Sequence, residues 1–124
     1  MPASADRIRQ VVDDYIRLVG TGTADEIVAL YAADATVEDP VGSDVRSGHA
    51  AIKEFYVGLE GLQQETRLIA ARVAGGEVAF HFEIKTSVGE KTYTLAPFDA
   101  MTFDDDGLIT TMRAYWGDGD MVIS

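Results

Sequence analysis

Residues 78–85 read VAFHFEIK, with Val78, Phe80, Phe82 and Ile84 alternating with Ala79, His81, Glu83 and Lys85. A period of two is the signature of a strand that buries one face. Tyr93, Leu95, Pro97, Met101 and Phe103 keep the alternation, as do Leu108, Thr110, Met112, Ala114 and Trp116. Gly75-Gly76, Ser87-Val-Gly89 and Asp104-Asp-Asp-Gly107 separate these runs as turns. The spacing predicts three or more long antiparallel strands in a meander.

Upstream of residue 62 the period is that of a helix. Ile8, Val11, Val12, Tyr15, Ile16 and Val19 form an apolar stripe within residues 4–19, with Ser4 as N-cap and Gly20-Thr-Gly22 as the stop. A second helix is expected over about Ala24 to Ala32, with Ile27, Val28, Leu30 and Tyr31 inward. A third is expected over about Gly48 to Leu59, capped by Ser47, with Ile52, Phe55, Tyr56 and Leu59 at helical spacing. Between them Ala35–Asp39 reads as a short strand, Pro40 and Gly42 as a turn, and Val45 as a second short strand. Helices first and strands last argue an α+β fold. The expected form is a curved antiparallel sheet wrapped around three N-terminal helices, a cone with an apolar interior. Residues 58–72 follow no motif.

The 124 residues suit one domain, since halves would be too short for a sound core. Asp and Glu number 21 against 10 Lys and Arg, a net charge of −11 that repels nucleic acid and anionic lipid. No cysteine and only two histidines, His49 and His81, leave little from which to build a metal cage. The start MPASADRIRQ has no apolar core of a secretory signal, and no apolar run reaches the roughly 18 residues of a membrane helix. A cytoplasmic enzyme acting on a neutral or cationic small molecule is the expectation.

The informative residues are polar ones at apolar positions. Asp99 shares parity with Leu95, Met101 and Phe103, in a setting without a cation. Burial would raise its pKa and leave it a protonated hydrogen-bond donor; a twist near Pro97 would instead turn it to solvent. Asp39 shares a strand face with Val37, where a partly desolvated carboxylate could act as a base, or simply begin an Asp-Pro turn. Tyr15, Tyr31 and Tyr56 fall on inward helical faces, and each buried phenol needs a partner in the core or on a ligand. Trp116 reads as cavity wall or core, His81 as a surface or interface residue and His49 as solvated. The acidic runs 104–106 and 118–120 lack calcium-loop spacing and read as turns. No phosphate-binding glycine loop or nucleophile motif is present.

Ala35-Thr-Val-Glu-Asp-Pro-Val-Gly-Ser43, Arg46-Ser-Gly48, Ala51-Ile-Lys-Glu-Phe-Tyr56, Ala96-Pro-Phe-Asp99 and Met112-Arg-Ala-Tyr-Trp-Gly117 occur in order. This set resembles the bacterial ketosteroid isomerases (steroid Δ-isomerases) of the nuclear-transport-factor-two-like superfamily, from Tyr15 to Gly117. The resemblance implies that Asp39 shuttles a proton from carbon 4 to carbon 6 of a 3-oxo-Δ5-steroid. It implies that Tyr15 and Asp99 hold the enolate oxygen, with Tyr31 and Tyr56 chained to Tyr15. Trp116 would lie beside the base, and Phe55, Phe82, Phe98, Met101 and Met112 would line the cavity. It further implies a homodimer joined through the convex sheet face, and chemistry without metal, nucleotide or flavin. A dehydratase or polyketide cyclase of the same cone, or a non-catalytic module binding a steroid-like ligand, are the competing readings.

Overall fold

The structure, a computed structural model, describes residues 2–124. Helix α1 (Ala5–Thr21) starts where the Ser4 hydroxyl accepts the Arg7 amide at 3.1 Å, and it buries Ile8, Val11, Val12, Tyr15 and Ile16. Helix α2 (Ala24–Val28) carries a reciprocal capping box between Thr23 and Glu26. It is shorter than its helical spacing predicts. The Leu30 carbonyl accepts the Ile109 amide at 2.9 Å, and Tyr31 pairs with Ile109, so Tyr31 opens strand β1 (Tyr31–Glu38) rather than closing a helix. Sheet pairing overrides local periodicity here.

Strand β2 (Arg46–Ser47) pairs antiparallel with β1 and leads into helix α3 (His49–Val57). The helix cap is Gly48, not Ser47, with φ at +86° and no side-chain hydrogen bond. Ser47 is committed to the β1 pairing, and the chain can turn sharply into α3 only through a left-handed residue, which favours glycine.

Strand β3 (Gln63–Ala74) runs through the segment that sequence left unread, and a Gly75-Gly76 turn with both φ positive joins it to β4 (Glu77–Val88). The other side of β4 is shared: residues 77–81 pair with β6 (Phe98–Phe103) and residues 84–88 with β5 (Lys91–Leu95). Strand β7 (Ile109–Tyr115) lies antiparallel to β6 and parallel to β1, and β8 (Val122–Ile123) edges β5. The sheet order is β2-β1-β7-β6-β4-β5-β8, with β3 on β4, so the arrangement is not the simple meander expected. An extra residue, Thr110, is accommodated in β7 between the pairs Thr102↔Thr111 and Phe103↔Ile109. This bulge buries Ile109 in place of the Leu108 and Thr110 expected from parity.

The result is an α+β fold: a curved, unclosed eight-stranded sheet that packs one face against the helices. The 104–106 run is a turn, where Asp104 Oδ1 accepts the amides of Asp106 and Leu108, each at 2.9 Å. Among the described residues no helix is long and apolar enough to cross a membrane.

Candidate active site

Between the helices and the concave sheet face lies a cavity of about 250 Å³. Tyr15 from α1, Phe55 and Tyr56 from α3, Phe82 from β4 and Asp99 from β6 all reach its wall, with Asp39 just past β1 and Trp116 just past β7. Strand alternation explains Asp99: Met101, two residues on, is also buried, and Asp99 is only 2% exposed.

Three phenols form a buried chain. Tyr31 and Tyr56 hydroxyls lie 2.7 Å apart, and Tyr56 and Tyr15 hydroxyls 3.0 Å. Edge contacts from Phe80 and Phe82, with centroids 6.2 and 6.4 Å away, hold the Tyr15 ring. Burial pushes all three phenols well above their ordinary pKa, so they stay protonated and act as donors. With Tyr31 donating to Tyr56 and Tyr56 to Tyr15, the Tyr15 proton is left free for the cavity.

The two acids differ in environment. Asp99 has no counter-ion, its Oδ1 is buried without a partner, and burial, then the charge of Asp39, drives its pKa well up. Asp39 is also raised by desolvation. However, it accepts a 2.7 Å hydrogen bond from Trp116 Nε1 and feels the Arg46 guanidinium, both of which favour the carboxylate. Arg46 sits over the Phe55 ring at 4.4 Å. Glu38, facing away from Asp39, accepts the Gly42 amide at 2.9 Å and Arg113 Nε at 3.0 Å, pinning the turn that carries Asp39. A pair of titratable groups pushed apart in this way supports one base and one neutral donor.

Not every expected wall residue is on the wall. Phe98 is 56% exposed and stacks on His81 across the outer face, with centroids 4.1 Å apart, because inward Asp99 forces its neighbour outward. Met101 and Met112 are buried in the core beneath the cavity, and Tyr31 lies behind Tyr56. His49 is exposed, as expected, and its Nε2 also donates to the Tyr31 carbonyl at 2.8 Å. Sequence reasoning also missed Gln64, Thr86 and Tyr93, which line the cavity on paired strands. Extending the β4 parity from Ile84 by one step reaches Thr86; Gln64 had no such signal.

Residues 12–112 match the model of the SnoaL-like domain family. The chain is 48% identical over 117 residues to a steroid Delta-isomerase of Nocardioides simplex, covering 94% of this chain and 95% of that protein. Among solved structures, it superposes with TM-score 0.88 on SalBIII, an epoxide hydrolase/cyclase-like enzyme with a role in pyran ring formation in polyether salinomycin. That pair is 27% identical and covers 96% of this chain and 97% of the other. RV0760c from Mycobacterium tuberculosis, 20% identical, also gives a TM-score of 0.88 over 98% of this chain and 99% of its own, a likeness of fold.

Proposed function

Since the chain belongs to the SnoaL-like domain family and to the steroid Δ-isomerases within it, we propose that it converts 3-oxo-Δ5-steroids to 3-oxo-Δ4-steroids. The observation that carries this reading is the unpartnered, buried Oδ1 of Asp99 in a cavity shared with Tyr15 and Asp39.

Ionised Asp39 takes a proton from carbon 4, beside the ketone. The C4–H electron pair moves into conjugation and negative charge grows on the 3-oxygen, giving a dienolate. Tyr15 and protonated Asp99 donate hydrogen bonds to that oxygen. Asp39 then returns the proton to carbon 6, so the C4–H bond is replaced by C6–H and the double bond moves into conjugation. Atoms and electrons balance between substrate and product, and no oxidant or reductant is consumed.

Fixed donors in a dry cavity favour the charged intermediate because they need not reorganise, and losing one such donor typically costs about 10²–10³ in rate. Ketosteroid isomerase is the known case of an aspartic acid kept neutral to donate such a bond, and Asp99 follows that pattern. The apolar wall, with Phe55, Phe82, Ile84 and Leu95, suits a neutral fused ring. The same reading takes the enzyme as a single cytoplasmic domain that pairs into a homodimer through its outer sheet face.

The test is ultraviolet absorbance of purified protein with 5-androstene-3,17-dione, following the conjugated enone. Rapid appearance that falls by about 10²–10⁴ in Asp39→Asn, with steroid binding retained, supports base and reaction together. Saturable binding without turnover would move the assignment to a binding module, and neither to another enzyme of the fold.

A further inference from the structure

Across β3, β4 and β5 one rung joins Gln64, Thr86 and Tyr93, and all three side chains line the cavity. Gln64 Nε2 donates to Thr86 Oγ1 at 3.0 Å. Its Oε1 is buried and accepts nothing. Apart from this atom, Asp99 Oδ1 is the one other buried side-chain oxygen or nitrogen without a partner among the described residues. A buried acceptor without a donor is costly, and neither Thr86 nor Tyr93, its neighbours on the rung, donates to it. A donor on a molecule that enters the cavity would satisfy it.

Thr86 stands six residues along β4 from Phe80, the partner of Asp99. At about 3.4 Å per residue this is at most roughly 20 Å of strand. Both orphaned oxygens belong to residues lining one apolar cavity, and the rungs that carry them are separated along β4.

We propose that Gln64, anchored by Thr86, is a specificity-determining residue that recognises a hydroxyl on the end of the steroid opposite its 3-oxo group. The proposal rests on the isomerase reading for the orientation of the ring system. A hydroxyl donates to Gln64 Oε1 and accepts from the Thr86 hydroxyl, whereas a ketone accepts only and leaves Oε1 unsatisfied.

The experiment measures dissociation constants of 17β-estradiol and estrone, which share a phenolic A ring and differ at the distal oxygen. Wild type is expected to bind the hydroxyl compound about three- to tenfold more tightly, the range of one net hydrogen bond. Gln64→Met should bring the ratio near one, and Thr86→Val should lower it by a smaller factor. No hydroxyl preference in wild type, or a ratio unchanged in both variants, overturns the proposal. The ratio is read without turnover, so failure to isomerise 5-androstene-3,17-dione would sink the isomerase reading separately. Absence of binding by either steroid would overturn both.

Discussion

Trp116 Nε1 lies 2.7 Å from Asp39 Oδ1, tying the end of β7 to the turn after β1. The bond is charge-assisted when Asp39 is ionised, so it opposes the rise in pKa that desolvation imposes. The proposed base works only as a carboxylate. Accordingly kcat/KM should fall as pH drops through a value above 3.8, the ordinary aspartate value. Trp116→Phe removes a contact that favours the charged form, so the acid limb should move to higher pH. The plateau should fall by less than about tenfold, because a positioning bond is lost and not the base. A pH profile of kcat/KM checks both; an unmoved limb would reduce Trp116 to a wall residue.

Asp99 should cost the protein stability in return for its donor. Its folded pKa is raised by burial, so the folded state holds the proton more tightly than the unfolded chain. The contribution of this group is fully present below the unfolded pKa and is lost as pH rises toward the folded one. Asp99→Leu removes the loss. The variant should melt above wild type at mildly alkaline pH, with the gap narrowing in acid, while turnover slows by at least about tenfold. Melting scans across pH, paired with the enone assay, test the trade; an unchanged rate would make Asp99 structural.

Tyr56 joins Tyr31 to Tyr15. Tyr56→Phe breaks both bonds and leaves two buried phenols short of a partner, at a cost of about 1–3 kcal/mol in unfolding free energy. Tyr15 keeps its own proton, so turnover should fall by less than the roughly 10²–10³ expected for Tyr15→Phe. Urea unfolding and kcat of the two variants separate support from direct donation. Equal losses of rate would mean that the chain, rather than Tyr15 alone, sets the donor.

The strand parity around Asp99 and the stripe holding Tyr15 were legible because each buries one face over several residues, and the period survives in the sequence. Residues 29–32 misled because the same apolar residues satisfy a helical stripe and the pairing of Tyr31 with Ile109, and only the partner strand decides. Phe98 misled because an aromatic on the outer face looks like one on the inner face unless its parity is set against Asp99. Strand β3 was silent for another reason: much of it is exposed, so Gln64 stands in a polar run with no apolar alternation to mark its inward face. Its meaning arises only from the cavity that β4 and β5 close beside it.

The outer sheet face carries the proposed dimer. On it His81, Phe98 and Tyr115 are paired across β4, β6 and β7. Phe98 is 56% and Tyr115 44% exposed, an apolar rung on a chain whose net charge is −11. A symmetric pair would bury the same residues from both copies. Phe98→Glu would place carboxylates in that contact and should weaken association by more than about tenfold. Light scattering on a size-exclusion column should then report the dimer mass for wild type and the monomer mass for the variant at the same concentration. The cavity is lined by residues of the inner sheet face and the helices, with His81, Phe98 and Tyr115 outside it, so steroid binding should persist in the monomer. A wild type that elutes as a monomer, or a variant that remains a dimer, would refute this interface.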